Sequence, residues 1–349
     1  MCGISGLIDA QRHSSHESLR VIGDKMNLML SHRGPDASGI WIDPVQGIVL
    51  GHRRLSVIDL DGGAQPMISS CGRYILTFNG ELYNFLSIRK ELEREGHSFR
   101  DNSDTEVFLM SLICWPLEVA LKKATGMFAF ALWDRVDKRL TLGRDRFGEK
   151  PLYYGWIEKK FVFASELKAF SAIPKWEKSI NRNALSAYCR HNYVPEPYSI
   201  FDNIFKLLPG HFIVLDNDRL LRDQKFSPYG DDGDSLRWGP RPYWSQSKIA
   251  EPQSPSAPQS KLFESSELEQ ILLSTLENKL ISDVPLGALL SGGIDSSLIV
   301  ALTKEVTQGQ VKTFTVGFDA KQYDEAEHAR GVASYLGTEH HELYVTAED

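Results

Sequence analysis

Several things are missing from this 349-residue chain, and each absence narrows what it can do. Its four cysteines, Cys2, Cys71, Cys114 and Cys189, form no CxxC and no metal-ligand spacing. A disulfide scaffold and a zinc site are therefore not expected. No block of Lys and Arg occurs, and 39 basic against 46 acidic residues leave a net charge of −7. Nucleic acids and anionic membranes, which are bound through clustered cations, are not the expected partners. No apolar run approaches the roughly 18 residues of a membrane span. The start, Met-Cys-Gly-Ile-Ser, lacks the basic and then apolar segments of a signal peptide, so a reducing cytoplasm is the expected location. A GxxxxGK[ST] phosphate loop is also absent. What remains is 42% hydrophobic and 24% charged, a soluble globular composition, with length enough for two domains of roughly 100–200 residues each.

The pattern breaks once, at 226–259, where Pro, Gly, Ser and Asp crowd without apolar period. This reads as a linker or surface loop, and 216–262 is assigned to it. Residues 2–215 then form one domain and 263–349 the start of another. The first domain is rich in strands. Residues 126–134 and 139–142 flank a polar turn, and 152–156 with 161–164 form a second hairpin. Residues 74–79 are a strand ending at Asn79-Gly80. Helices are expected at 83–95, 105–114 and 182–190. Hairpins with interspersed helices point to sheet layers covered by helices. In the second domain, Ser266 and Glu269 form a capping-box pair opening a helix with Leu268, Ile271, Leu272, Leu276 and Leu280 on one stripe. A strand at 286–290, a helix from Ser296, a strand at 313–318, a helix at 325–336 stopped by Gly337 and a strand near 341–345 follow. That alternation predicts a parallel α/β sheet. Three strands are a poor stopping point for such a sheet, so this domain is expected to be cut short.

Cys2 follows Met1 and precedes a small residue, so removal of the methionine would leave one residue carrying both a thiol and an α-amine with pKa near ~7.7–8.0. Such an amine can serve as general base for its own side chain. A lone cysteine at this position is weak evidence, and taken alone its plainer reading is an incidental or buried residue. Acyl transfer from an amide also needs donors for the oxyanion and charges for the substrate's α-amino and α-carboxylate groups. The Asn79 amide and Gly80 N–H could be the donors, Arg54 a carboxylate clamp, and Asp104 and Glu81 the partners of an ammonium. Each has a plainer reading: Asn-Gly as a turn, Asp104 as a helix N-cap, Arg54 in a surface ion pair.

Together MCGISG, HRGPD, HRRLSVIDL, GGAQPM, FNGELYN, SDTEV, GMFAFALWD, GRDRFGEKPLYY and FASELKA, in that order, cover nearly all of residues 2–215. In this the sequence resembles the class II glutamine amidotransferase domain of glutamine-hydrolysing asparagine synthetases. The resemblance implies a four-layer αββα sandwich of the Ntn-hydrolase type. It implies Cys2 as the nucleophile that takes glutamine's amide carbonyl as a thioester and releases ammonia, and Asn79 and Gly80 as the oxyanion hole. Arg54, Leu55, Val57, Glu81 and Asp104 would line the glutamine pocket.

Leu290-Ser291-Gly292-Gly293-Ile294-Asp295-Ser296-Ser297 lies between an apolar strand and a helix, where backbone N–H groups can meet a phosphate. The acidic Asp295 suits such a loop only with Mg²⁺ between it and the phosphates. The loop resembles that of the ATP-pyrophosphatase family, in the setting of an asparagine synthetase's second domain. That resemblance implies ATP held by Ser291, Gly292, Gly293 and Ser296, Asp295 beside Mg²⁺, and Leu289 and Val316 against the adenosine. It implies adenylation of a carboxylate followed by attack of ammonia. The family's later SGEGSDE-type motif does not occur here, so the synthetase part is expected to be incomplete.

Other features read plainly. His340-His341 is expected to be structural, Cys71, Cys114 and Cys189 packing or surface residues, and Arg144-Asp145-Arg146 with Lys150-Pro151 a solvated turn, which the resemblance would place near the domain contact. The expected substrates are glutamine, ATP and aspartate. Alternatives are another carboxylate acceptor such as a sugar acid, a chain with glutaminase activity alone, or a silent interaction module. A homodimer stays open on sequence alone.

Overall fold

Every residue of Gly3–Asp9 (β1) is buried, which an exposed amphipathic strand would not show. Its alternating side chains serve two cores, as period 2 requires of a strand covered on both faces. Ile4 and Ile8 face a cluster shared with Ile75, Trp133 and Leu142. Leu7 faces a second cluster with Leu19, Ile22 and Met26.

The computed structural model describes residues 1–216, 239–246, 265–307, 309–320, 322, 324–346 and 348. These fall into two compact units divided after Pro252. The first continues from β1 with α1 (His16–Met29), β2 (Ala37–Asp43), β3 (Ile48–Arg54), β4 (Met67–Ile68) and β5 (Tyr74–Leu82). Next come α2 (Phe85–Arg94), α3 (Asp104–Cys114), α4 (Leu117–Lys123), β6 (Gly126–Asp134), β7 (Arg139–Arg144), β8 (Tyr153–Ile157) and β9 (Lys160–Ala164). A 3₁₀ turn (Leu167–Ala172), α5 (Arg182–His191), β10 (Ile204–Lys206), β11 (His211–Leu215) and β12 (Arg241–Pro242) complete it.

The strands form two six-stranded sheets, ordered β10-β8-β9-β1-β3-β2 and β12-β11-β7-β6-β5-β4. Ile4, Leu50 and Phe163 of one sheet pack against Ile75, Ala131 and Leu142 of the other, so the sheets lie face to face. The helix α1 covers the outer face of the first sheet through Leu19, Ile22 and Met26. On the outer face of the second, Phe108 of α3 sits 5.0 Å from Phe78, 5.1 Å from Phe128 and 5.3 Å from Phe130 between ring centroids. Helix, sheet, sheet, helix is the expected four-layer sandwich. Each large apolar side chain so buried contributes about 1.5–3 kcal/mol.

The second unit holds α6 (Ser265–Lys279), β13 (Gly287–Leu289), α7 (Ile294–Val306), β14 (Lys312–Phe318), α8 (Ala326–Leu336) and β15 (Glu339–Val345). Its three strands are parallel in the order β13-β14-β15, as the alternation predicts. Leu290, Val300, Ala329 and Ala333 form its core under one sheet face. On the other face Phe314, Val316 and Phe318 are exposed.

Four local expectations change. The strand predicted to stop at Asn79 runs to Leu82, because β6 stays paired with it through Gly126. Ser266 is inside the first turn of α6, which already begins at Ser265, so it is not the cap. Of the α6 stripe, Leu276 is buried while Leu268 and Ile271 are half exposed. The helix after the glycine loop starts at Ile294, with Gly293 as its N-cap. Within the stretch read as linker, residues 217–238 and 247–264 lie outside the described residues, but Arg241–Pro242 adds a strand to β11. The Tyr243 hydroxyl there donates to the Arg144 carbonyl, and Trp244 packs edge-on against Phe147.

Candidate active site

Strand periodicity carries the key side chains to one place. Cys2 continues the inward parity of Ile4 and Ile8, and Asn79 shares the inward face of β5 with Ile75 and Thr77. Both reach a cavity whose walls include all eight residues expected of a glutaminase: Cys2, Arg54, Leu55, Val57, Asn79, Gly80, Glu81 and Asp104.

The Cys2 thiol is held by the peptide groups of Leu55. The Leu55 N–H lies 3.4 Å from the sulfur, and the thiol donates to the Leu55 carbonyl at 3.6 Å. Burial pushes the thiol pKa up; the Leu55 N–H, the chain's α-amine and Arg54 oppose it, and Asp104 adds to it. Burial pulls the α-amine, here on Met1, below its ordinary value. The Cys2 carbonyl accepts from Arg33 Nε at 2.9 Å, and Arg33 is itself held by Glu166 at 3.0 Å. These bonds fix the backbone on which the sulfur turns.

Asn79 is fully buried, yet neither its Oδ1 nor its Nδ2 has a hydrogen-bond partner among the described residues. A buried amide left so costs stability, and its place on a cavity wall gives it a use only when something enters. Gly80 follows it in the strand. The Phe78 N–H is taken by Gln65 Oε1 at 2.6 Å and the Leu82 N–H by Asp104 Oδ2 at 2.8 Å. Strand alternation puts the Gly80 N–H on the same edge between them. A Cβ at Gly80 would lie 2.3 Å from the Met127 carbonyl oxygen, so only glycine lets β6 pass this close. The Asn-Gly turn reading fails for that reason.

Asp104 is the first residue of α3; the cap is Ser103, whose side chain accepts from the Glu106 N–H. Burial raises the Asp104 carboxyl to about 6, with the Leu82 N–H lowering it and Glu81 raising it further. Among the described residues Arg54 is in no surface ion pair. Its guanidinium donates to the Ile58, Asp59 and Leu60 carbonyls, which folds the 58–60 loop around the cavity. His52 on β3 is buried and held near 3 chiefly by desolvation, so it stays neutral and bonds the Phe78 carbonyl at 3.0 Å. Its role is to brace β5 from behind the site.

Of the further wall residues, not anticipated as such, three have polar side chains: Gln65, Thr105 and Lys150. Gln65 lay in the GGAQPM motif with no role attached. Lys150 lay in the stretch read as a solvated turn, and that reading is wrong. Asp145 is fully buried and Arg144 and Lys150 nearly so. The Asp145 carboxylate accepts the N–H groups of Phe128, Phe147, Glu149 and Lys150.

In the second unit the serine hydroxyls of the glycine loop bond one another, Ser291 Oγ to Ser296 Oγ at 3.0 Å. Gly292 has φ +83°, and a Cβ there would lie 2.8 Å from the Ala329 nitrogen at the start of α8. Its glycine is demanded by packing on α8. A Cβ on Gly293 would meet only Ser291 Oγ at 3.5 Å, which leaves that side of the loop open. Asp295 stands exposed in the first turn of α7. Leu289, paired with Phe314, shares the exposed sheet face with Val316. No group of three or more His, Cys, Asp or Glu able to hold a metal occurs among the described residues. His340 bonds Thr313 Oγ1 at 2.9 Å and His341 lies stacked on Phe314, both structural roles. The four cysteines are free. No helix among the described residues is long and apolar enough to cross a membrane.

Comparison with known proteins agrees with both parts. Residues 267–349 match the family model described as asparagine synthase. Asparagine synthetase [glutamine-hydrolyzing] 1 of Bacillus subtilis is 34% identical over all of this chain and 51% of its own length. A putative asparagine synthetase [glutamine-hydrolyzing] 2 of Methanocaldococcus jannaschii is 32% identical over all of this chain and 66% of its own. Asparagine synthetase B [glutamine-hydrolyzing] of Escherichia coli is 30% identical over all of this chain and 55% of its own. The chain thus spans about half to two thirds of the length of these curated relatives. Residues 1–227, well over half of the chain, match the glutamine amidotransferase domain model, and the protein belongs to that family.

Proposed function

We propose that the first unit hydrolyses glutamine at Cys2. The reading rests on one observation: a buried Asn79 amide with no partner among the described residues lines the same cavity as the Cys2 thiol. After removal of Met1, the thiol proton passes to the Cys2 α-amine and the sulfur bonds to the amide carbon of glutamine. The oxyanion takes hydrogen bonds from Asn79 Nδ2 and the Gly80 N–H. The C–N bond breaks and nitrogen leaves as ammonia with the proton held by the α-amine. Water then cleaves the thioester to glutamate. Arg54 holds the substrate carboxylate, Asp104 and Glu81 its ammonium, and Leu55 and Val57 the chain between.

The second unit, on this reading, uses ATP to activate the side-chain carboxylate of aspartate. Ammonia then gives asparagine, with AMP and pyrophosphate released. Ser291, Gly292, Gly293 and Ser296 meet the phosphates, and Leu289 and Val316 meet the adenosine. The Asp295 carboxylate, with no hydrogen bond or ion pair among the described residues, fits Mg²⁺ shared with ATP, which would neutralise phosphate charge. The names of the relatives favour aspartate over other carboxylates as acceptor. Glutamate release from glutamine tests the first half. Wild type is expected to turn over and Cys2→Ala to be silent; equal activity in both would remove Cys2 from the reaction.

A further inference from the structure

Lys150 projects a charge into the Cys2 cavity that the proposed hydrolysis leaves unused. It lines the cavity together with Met1, Cys2, Asn79 and Glu81. The residue is 5% exposed. Its ammonium makes no hydrogen bond or ion pair among the described residues, so no local partner explains its burial. A cation drawn this far from bulk water onto a cavity wall without a partner is costly, and it persists only where the surrounding structure over-determines it.

That structure is present. Asp145 gathers four backbone N–H groups, the last being that of Lys150. Arg144 binds the Lys150 carbonyl through Nε at 2.8 Å and the Gly148 carbonyl through Nη2 at 2.7 Å, while Nη1 pairs with Glu196. Both ends of the Lys150 peptide are therefore pinned by a buried acid and a buried base. The loop from 145 to 150 is rigid up to the residue whose side chain enters the cavity.

We propose that Lys150 is a positioning residue for the nucleophile: its fixed positive charge favours loss of the first proton from the Cys2 thiol and α-amine taken as a pair. This rests on the reading of Cys2 as an N-terminal nucleophile. Thiol and ammonium share that proton step, and either product, thiolate with ammonium or thiol with free amine, is the form that attacks. A nearby cation lowers the pH of that step whichever group releases the proton, because it repels the ammonium and attracts the thiolate. Other charges face the pair as well. Arg33 comes from the turn after α1, Arg54 from the end of β3, Glu81 from β5, Asp104 from α3, and Glu149 from Lys150's own loop. Arg33 is paired with Glu166, and the Arg54 guanidinium donates to loop carbonyls. The three carboxylates oppose the step. Lys150 is the cation in this set that carries no such partner among the described residues. Burial and the neighbouring Arg33 draw its ammonium below an ordinary lysine, while Glu81 and Cys2 hold the charge on it.

The test measures alkylation of Cys2 by iodoacetamide against pH, read by peptide mass spectrometry on full-length chain processed to Cys2. Wild type, Lys150→Met and Lys150→Arg are compared. The midpoint is expected to rise by about half to one pH unit in Lys150→Met, and to return toward wild type in Lys150→Arg. The acid limb of glutamine hydrolysis should move with it while KM for glutamine changes less than threefold. An unmoved alkylation midpoint overturns the proposal, and a raised KM beside it would assign Lys150 to the substrate instead. Equal loss in both variants with a lowered melting temperature makes the residue structural and also overturns it. Alkylation needs no glutamine, so a chain with no Cys2-dependent glutamate release would sink the functional reading without deciding this measurement.

Discussion

The Cys2 sulfur sits between the two peptide groups of Leu55, 3.4 Å from the nitrogen and 3.6 Å from the carbonyl oxygen. A thiol uses both contacts; a thiolate keeps only the N–H. No histidine among the described residues lines the cavity, and on the proposed reading the base for the thiol is the α-amine of Cys2 itself. Protein retaining Met1, or carrying a tag that cannot be removed ahead of it, is expected to lose about 10²–10⁴-fold in kcat. Met1 is 59% exposed, so the melting temperature should hold. Glutamate release by the blocked and the processed chain, beside their melting curves, makes the check.

Asn79→Ala separates stability from activity. The substitution removes two buried polar atoms that have no partner among the described residues, so unfolding by urea should show no loss of stability. If Asn79 Nδ2 donates to the oxyanion, kcat falls about 10²–10³-fold. A variant that lost stability and activity in proportion would make Asn79 a packing residue.

The contrast between Asn79 and Lys150 shows where sequence reasoning reaches. Asn79, Arg54 and Asp104 were legible because each falls in a motif whose chemistry is local and whose companions repeat in order. The antiparallel hairpins and the parallel sheet were legible from periodicity. The end of β5 was not: Asn-Gly signals a turn, and the carbonyl of Met127, 47 residues on from Gly80, overrides it by passing where a Cβ would stand. Lys150 was hidden by its charged neighbours. Their charges are spent on backbone groups of Phe128 and Leu207, which no spacing reveals. Tyr243 and Trp244 were lost in a composition that reads as linker.

Asp104 gives the site a pH dependence of known sign. Its folded pKa, about 6, lies above the ordinary 3.8, so between these values the folded chain holds the proton more tightly than the unfolded one. The group therefore favours the folded state at low pH, and that contribution is lost as pH rises through about 6. On the proposed reading, ligand binding runs the opposite way, since the glutamine ammonium needs the carboxylate. KM for glutamine should rise below pH 6 by up to tenfold per unit, and Asp104→Asn should abolish that limb while raising KM throughout. The same variant should gain stability above pH 6, seen as a higher urea midpoint.

Asp145→Ala strips a common acceptor from four N–H groups in one step. Hydrogen bonds to a charged group contribute about 1.5–3 kcal/mol each, and not all are lost because water enters. A destabilisation of at least about 3 kcal/mol is expected in urea unfolding. Glutaminase activity should fall further than the folded fraction does, because Lys150 is released with the loop. Activity that simply tracked the folded fraction would leave the loop a structural brace.

The two glycines of the second unit's loop answer to different demands, and alanine tells them apart. At Gly292 a Cβ meets both a positive φ and the α8 backbone at 2.8 Å, so Gly292→Ala should destabilise the second unit by about 2–4 kcal/mol. At Gly293 the space is open and φ is ordinary, so Gly293→Ala costs at most about 1 kcal/mol as an N-cap change. That same open side is where a phosphate would approach the first N–H groups of α7. In full-length protein, exchange of labelled pyrophosphate into ATP with aspartate present should drop at least tenfold for Gly293→Ala while its melting temperature stays put. Undiminished exchange in that variant would take the phosphates away from this loop, since a methyl group at the mouth of a working phosphate site cannot be silent.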